Sequence, residues 1–182
     1  MATSLSAASL LPSPAPSFDD PIGVLVACHE RMRRQLGTLA RLPAHVNGRG
    51  VDAEARSAAQ AVLRYFDRAA VDHHADEDHS VLPRVLARAA DLAPLIAQLS
   101  AEHVVLARRW RKLRPLLGGI AGGFNPGLPT RLVRDVCEGY ETHIDREERR
   151  LLPRAQECLD ATALAEIGRE FAARRARTYG PA

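Results

Sequence analysis

Residues 91–117 read DLAPLIAQLSAEHVVLARRWRKLRPLL. Leu92, Ile96, Leu99, His103, Leu106, Trp110, Leu113 and Leu117 follow one another at steps of three or four, the spacing that lays a single apolar stripe along an α-helix. His103 stands inside that stripe, a polar ring among leucines.

The same period extends in both directions. Upstream, Ile22, Leu25, His29, Met32, Leu36 and Leu39 predict a helix from about Asp20 to Leu42, broken by Pro43 and the Asn47-Gly48-Arg49-Gly50 cluster. A second helix is expected from the capping residue Asp52 to about Ala90, with Leu63, Phe66, Ala70, His74, Glu77, Val81 and Val85 inward and a kink or split at Pro83. Gly118-Gly119 and Gly122 to Gly127 should end the third helix. The fourth should start near Leu128 or Pro129 and turn Leu132, Val136, Tyr140, His143, Glu147 and Leu151 inward.

Four long amphipathic helices with short links predict an all-α fold, an antiparallel up-and-down four-helix bundle over residues 20–158. Residues 159–182 are expected to add a short amphipathic tail helix on the end of the bundle, with Leu164, Ile167 and Phe171 inward. Residues 1–19, rich in Ser, Ala, Pro and Leu, are expected to form a disordered leader; they carry no Lys or Arg ahead of an apolar stretch, which argues against a secretory signal.

Composition narrows the function classes. Aromatic residues make up 4% of the 182, and 25 basic against 22 acidic residues give a net charge of +3 with the arginines dispersed among acids. That dispersal argues against a nucleic-acid surface. No apolar run approaches the ~20 residues of a membrane span. Three cysteines, Cys28, Cys137 and Cys158, form no CxxC pair, an odd set that fits the reducing cytoplasm better than a disulfide framework.

Two segments repeat each other seventy residues apart. Asp72-His73-His74-Ala75-Asp76-Glu77-Asp78-His79-Ser80-Val81-Leu82-Pro83-Arg84 parallels Thr142-His143-Ile144-Asp145-Arg146-Glu147-Glu148-Arg149-Arg150-Leu151-Leu152-Pro153-Arg154. Each sets a histidine ahead of carboxylates, then two apolar residues and a proline. All four helices thus place histidine on an apolar stripe, and two add acids there. A carboxylate buried without a partner costs several kcal/mol, and a shared cation removes that cost. Imidazole combined with carboxylate suits iron, manganese or zinc; calcium would take oxygen ligands only.

These motifs, spanning about Asp20 to Arg154, resemble the hemerythrin-like family, the HHE cation-binding domain. The resemblance implies a four-helix bundle around two non-haem iron ions bridged by two carboxylates and an oxo or hydroxo group, with manganese or zinc as lesser alternatives. It implies as metal ligands His29 of the first helix, His74 and Asp78 of the second, His103 of the third, and His143 and Glu148 of the fourth. Asp78 and Glu148 are chosen because both lie five residues before a proline. On helix geometry alone His143 pairs better with Glu147, and His73 with Glu77, so His73, Glu77 and Glu147 remain alternatives or groups that orient the ligands. Oxygen carriers of the family have a further third-helix histidine one turn on, where this chain has Ala107. The expected role is binding or sensing of O2, NO or redox state, or iron buffering. A di-iron enzyme reducing peroxide or nitric oxide, and a metal-free helical interaction module, are the alternatives. His45 is expected to be a solvated loop residue, and His79 an exposed one or a partner of the ligands.

Overall fold

The computed structural model describes residues 17–179. Apart from Ser17, Phe18 and Asp19, the expected leader lies outside the described residues. Among those residues the regular elements are all helical.

Helix α1 spans Pro21–Arg49, with Asp20 accepting a hydrogen bond from the Gly23 amide at 2.9 Å. It runs seven residues past the expected end at Leu42, straight through Pro43. Proline removes one backbone donor, but Pro43 and Val46 are both buried, so apolar packing carries the helix onward. Gly50, with φ 78°, ends it. His45 is therefore helical, not a loop residue, and is bonded to Asp52 at 2.9 Å.

The second rod is segmented. Helices α2 (Ala53–Arg64), α3 (Ala70–Asp76) and α4 (Leu82–Arg88) are joined by π turns at Tyr65–Ala69 and Glu77–Val81. Helix α5 spans Ala93–Ala121, continuing through Gly118 and Gly119 because Leu117 and Ile120 are fully buried beside them. The fourth rod comprises α6 (Thr130–Arg146), a π turn at Glu147–Leu151, and α7 (Leu152–Cys158). The interruption expected at Pro83 is a π turn, and a second, unexpected one precedes Pro153. The Leu82 amide donates to the Glu77 carbonyl and the Leu152 amide to the Glu147 carbonyl, five residues back in each case. Pro83 and Pro153 then fall in the first turn of α4 and α7, where a missing donor is tolerated.

Helix α1 packs on the second and fourth rods, and α5 packs on the same two. Their apolar stripes make two separate cores. One joins the second half of α1 (Met32 to Val46) to the first half of the second rod, the second half of α5 and α6, with Phe66, Trp110 and Tyr140 at its centre. The other joins the start of α1 (Ile22 to Cys28) to α4, the start of α5 and α7.

Helix α8 spans Ala161–Tyr179 and is longer than the short tail expected. Ala163, Ile167 and Phe171 bury in the second core, with Leu164 only partly covered. Beyond Phe171 it lies along α3. It flanks the bundle instead of capping its end, because its last turns carry Arg174, Arg175 and Thr178, which find partners on α3.

Candidate metal centre

Between the two cores lies a polar layer. His29, His73, His103, His143, Glu77 and Glu147 are all 5% exposed or less, and His74 joins them with its Nε2 buried. They come from α1, the second rod, α5 and the fourth rod. One ligand atom from each of His29, His73, Glu77 and Glu147 lies within 4.8 Å of the others; so it does for Glu77, His103, His143 and Glu147, and for His74, His103 and His143. Glu77 and Glu147 belong to two of these groups each.

Distances fill in the picture. His29 Nε2 is 3.2 Å and His143 Nε2 3.0 Å from Glu147, while His73 Nε2 is 3.4 Å and His103 Nε2 3.3 Å from Glu77. His103 Nε2 and His143 Nε2 are 3.0 Å apart. Several of these contacts lack hydrogen-bond angles. His29 Nε2, both ring nitrogens of His73, His74 Nε2 and all four oxygens of Glu77 and Glu147 are buried without a hydrogen-bond partner. Buried polar atoms are seldom left so. Their convergence, and their composition of imidazole nitrogens and carboxylate oxygens, fit a metal-cation site.

The outer nitrogens are held differently. His29 Nδ1 meets Glu148 at 3.0 Å, His103 Nδ1 meets Asp78 at 3.0 Å, and His143 Nδ1 meets Glu102 at 2.9 Å. An Nδ1–H donated to a carboxylate fixes the tautomer that leaves the Nε2 lone pair facing inward, and makes it more basic. With both Nδ1 atoms protonated, the facing lone pairs of His103 and His143 repel unless a proton or a metal cation lies between them. The carboxylates are anchored in turn. Arg33 donates to Glu148 at 2.8 and 2.9 Å, Arg146 donates to Glu102, and Ser100 donates to Asp78 at 3.3 Å.

Charge crowding shifts the ionisation of these groups. Burial, then the adjacent Glu147 charge, pushes Glu77 up to about 7. For Glu147 burial acts in the same upward sense, but His103, His143 and His29 outweigh it and hold the carboxyl well below the ordinary range. Burial works to lower His103, yet Asp78, Glu147 and Glu77 raise it to about 11. His73 and His74 are driven far down, by burial first and then by neighbouring imidazoles. Arg33, acting mainly by hydrogen bonding, lowers Glu148.

Of the residues singled out in the sequence, His29, His74, His103 and His143 lie in the layer. The favoured acids do not: Asp78 and Glu148, with side chains 30% and 29% exposed, sit behind histidines, and the alternatives His73, Glu77 and Glu147 occupy the interior. The cause is the π turn. Its extra residue separates acid from proline by six positions, so a count of five back from Pro83 or Pro153 lands one residue late. Ala107 is exposed, so a histidine there would point away from this layer; the second rod instead carries two adjacent histidines, and His74 stacks on His103 with ring centroids 4.2 Å apart. Glu102 was missed. It lies on the helix bearing His103 but bonds to His143 on another, and no pattern within one helix signals such a pairing. His79 is exposed. Tyr140 is buried, its ring packing against Phe66 and His74 at 5.1 and 5.9 Å.

A helical protein with a buried layer of histidines shared by two carboxylates is the class these features define. The chain belongs to the hemerythrin HHE cation-binding domain family, whose model matches residues 20–155. An uncharacterised protein of Haemophilus influenzae strain Rd is similar to it, 30% identical over 166 residues that cover 91% of this chain and 96% of that protein. No helix among the described residues is long and apolar enough to cross a membrane.

Proposed function

We propose that this chain is a non-haem di-iron protein of hemerythrin type that binds or senses O2, NO or redox state, or buffers iron. The observation that carries the reading is the set of partnerless buried atoms on His29, His73, His74, Glu77 and Glu147. In this reading His29, His73, His74, His103 and His143, together with the carboxylates Glu77 and Glu147 shared between the groups, would hold the ions. Glu148, Asp78 and Glu102 orient the imidazoles from behind. Bound iron would supply a redox-active centre able to take up a small diatomic ligand. The remaining task of the protein is to exclude bulk water, which the two flanking apolar cores serve.

An antiparallel up-and-down course of four rods over residues 20–158 is part of the proposal. It is supported by the pairing of the second half of α1 with the first half of the second rod. Three free cysteines support a cytoplasmic site of action.

The test is anaerobic loading of purified full-length protein with ferrous iron, followed by desalting and elemental analysis. Two irons per chain, and a change in visible absorption when O2 or NO is added, are expected. Protein that retains no iron overturns the reading.

A further inference from the structure

The outer face of the second rod carries Asp72, Asp76, Ser80 and Arg84 at successive steps of four, and each meets α8. Thr178 donates to Asp72 at 3.0 Å; Arg174 and Arg175 both donate to Asp76; Arg174 also reaches Ser80 at 3.4 Å; Arg84 donates to Glu170 at 2.7 Å. Asp76 is fully buried although it points away from the histidine layer. A buried carboxylate clasped by two guanidiniums is held firmly, since each bond is charge-assisted and loss of either partner strands the charge.

The location of this clasp is informative. Asp76 immediately precedes, and Ser80 lies within, the π turn Glu77–Val81, the segment that carries both Glu77 and Asp78. On the inside, the Glu77 oxygens have no hydrogen-bond partner, so no side-chain hydrogen bond fixes that carboxylate from within. A π turn is locally less favourable than the α-helix it interrupts and relies on its surroundings. The matching turn of the fourth rod is also pinned from outside by arginine, through Arg33 on Glu148.

We infer that Arg174 and Arg175 are positioning residues for the metal centre: through Asp76 and Ser80, helix α8 fixes the π turn that presents Glu77 to the ions and Asp78 to His103. The inference deepens the proposed function and rests on it for its metal-binding consequence; its structural part concerns the turn alone.

The experiment has two arms on full-length protein. In the metal-free arm, amide hydrogen exchange is followed by mass spectrometry in wild type, Arg174→Ala/Arg175→Ala, Arg174→Lys/Arg175→Lys and Thr178→Val, the last of which cuts another α8 contact, at Asp72, outside the turn. The double alanine variant should exchange about tenfold faster at residues 77–82, with residues 147–152 unchanged, and the lysine pair should recover most of the protection. Thr178→Val should leave the turn at the wild-type rate. In the iron-loaded arm, transfer to a chelator should be at least about tenfold faster for the double alanine variant, in the range seen for groups that orient ligands. Wild-type exchange at 77–82 in the double alanine variant overturns the inference, and so does an equal effect from Thr178→Val. Should the double variant fail to fold, Asp76→Asn, which keeps the shape and removes the charge, replaces it with the same expectations. Wild-type protein that takes up no iron sinks the proposed function and leaves the exchange arm to decide the positioning role.

Discussion

Replacing Glu77 by glutamine should make the metal-free protein more stable at neutral pH while impairing its centre. In the folded apoprotein the Glu77 carboxyl titrates near 7 instead of 4.5 because burial and the neighbouring Glu147 oppose its charge. A carboxyl whose folded value is raised keeps its proton longer in the native state, so folding loses stability as pH climbs from about 4.5 to about 7, and the whole penalty is present above that. At about 1.4 kcal/mol per tenfold change in the ionisation equilibrium, the gap is on the order of 3 kcal/mol. Glutamine is nearly isosteric and never ionises. The variant should therefore match wild type at pH 4 and exceed it by on the order of 3 kcal/mol at pH 8, roughly 6–12 °C in Tm for a chain of this size. Scanning calorimetry of both metal-free proteins across that range measures it. Loading with iron should reverse the order, since wild type gains the binding free energy and the variant has lost one bridging carboxylate. A Tm difference independent of pH, or a glutamine variant retaining two irons as tightly as wild type, refutes the reasoning.

Three further outcomes follow from the same geometry. Asp78→Ala and Glu148→Ala should each keep two irons per chain with affinity lowered roughly 10–100-fold, whereas Glu147→Ala should lose iron outright; chelator competition and elemental analysis distinguish the two behaviours. Phe66→Ala removes a ring 1% exposed and packed 5.0 Å from Trp110, so urea unfolding should record a loss of about 3–5 kcal/mol, and a loss under about 1 kcal/mol would contradict the packing. Gly50→Ala forces a side chain onto φ 78°, ψ −166°, at a cost of about 1–3 kcal/mol in the same assay.

The helical class was legible because burial imposes a period on the sequence. Leu99, His103, Leu106, Trp110 and Leu113 of α5 could be read as a stripe without knowledge of their neighbours, and each is buried. Helix ends were less legible where local chemistry and packing conflict, as at Pro43 and Gly118, since a breaker's effect depends on what lies beneath it. The histidines were legible as inward-facing positions for the same reason as the leucines: they share the stripe. The buried acids were harder to choose, since four-residue spacing favoured Glu77 and Glu147 while the offset from the prolines favoured Asp78 and Glu148, and deciding between them requires knowing where a helix gains a residue. Glu102 and the α8 arginines act across helices, where sequence spacing carries no information.

The polar layer has a consequence for how the molecule comes apart. Two oily blocks meet at a charged waist, and side chains across that waist offer little apolar contact to couple them. Without metal, the end built around Phe66 and the end built around Phe171 should lose their protection separately; with metal clamped by donors from all four rods, they should melt as one body. Cooperativity in this chain would then be conferred by its ligand, and the breadth of the thermal transition would report occupancy.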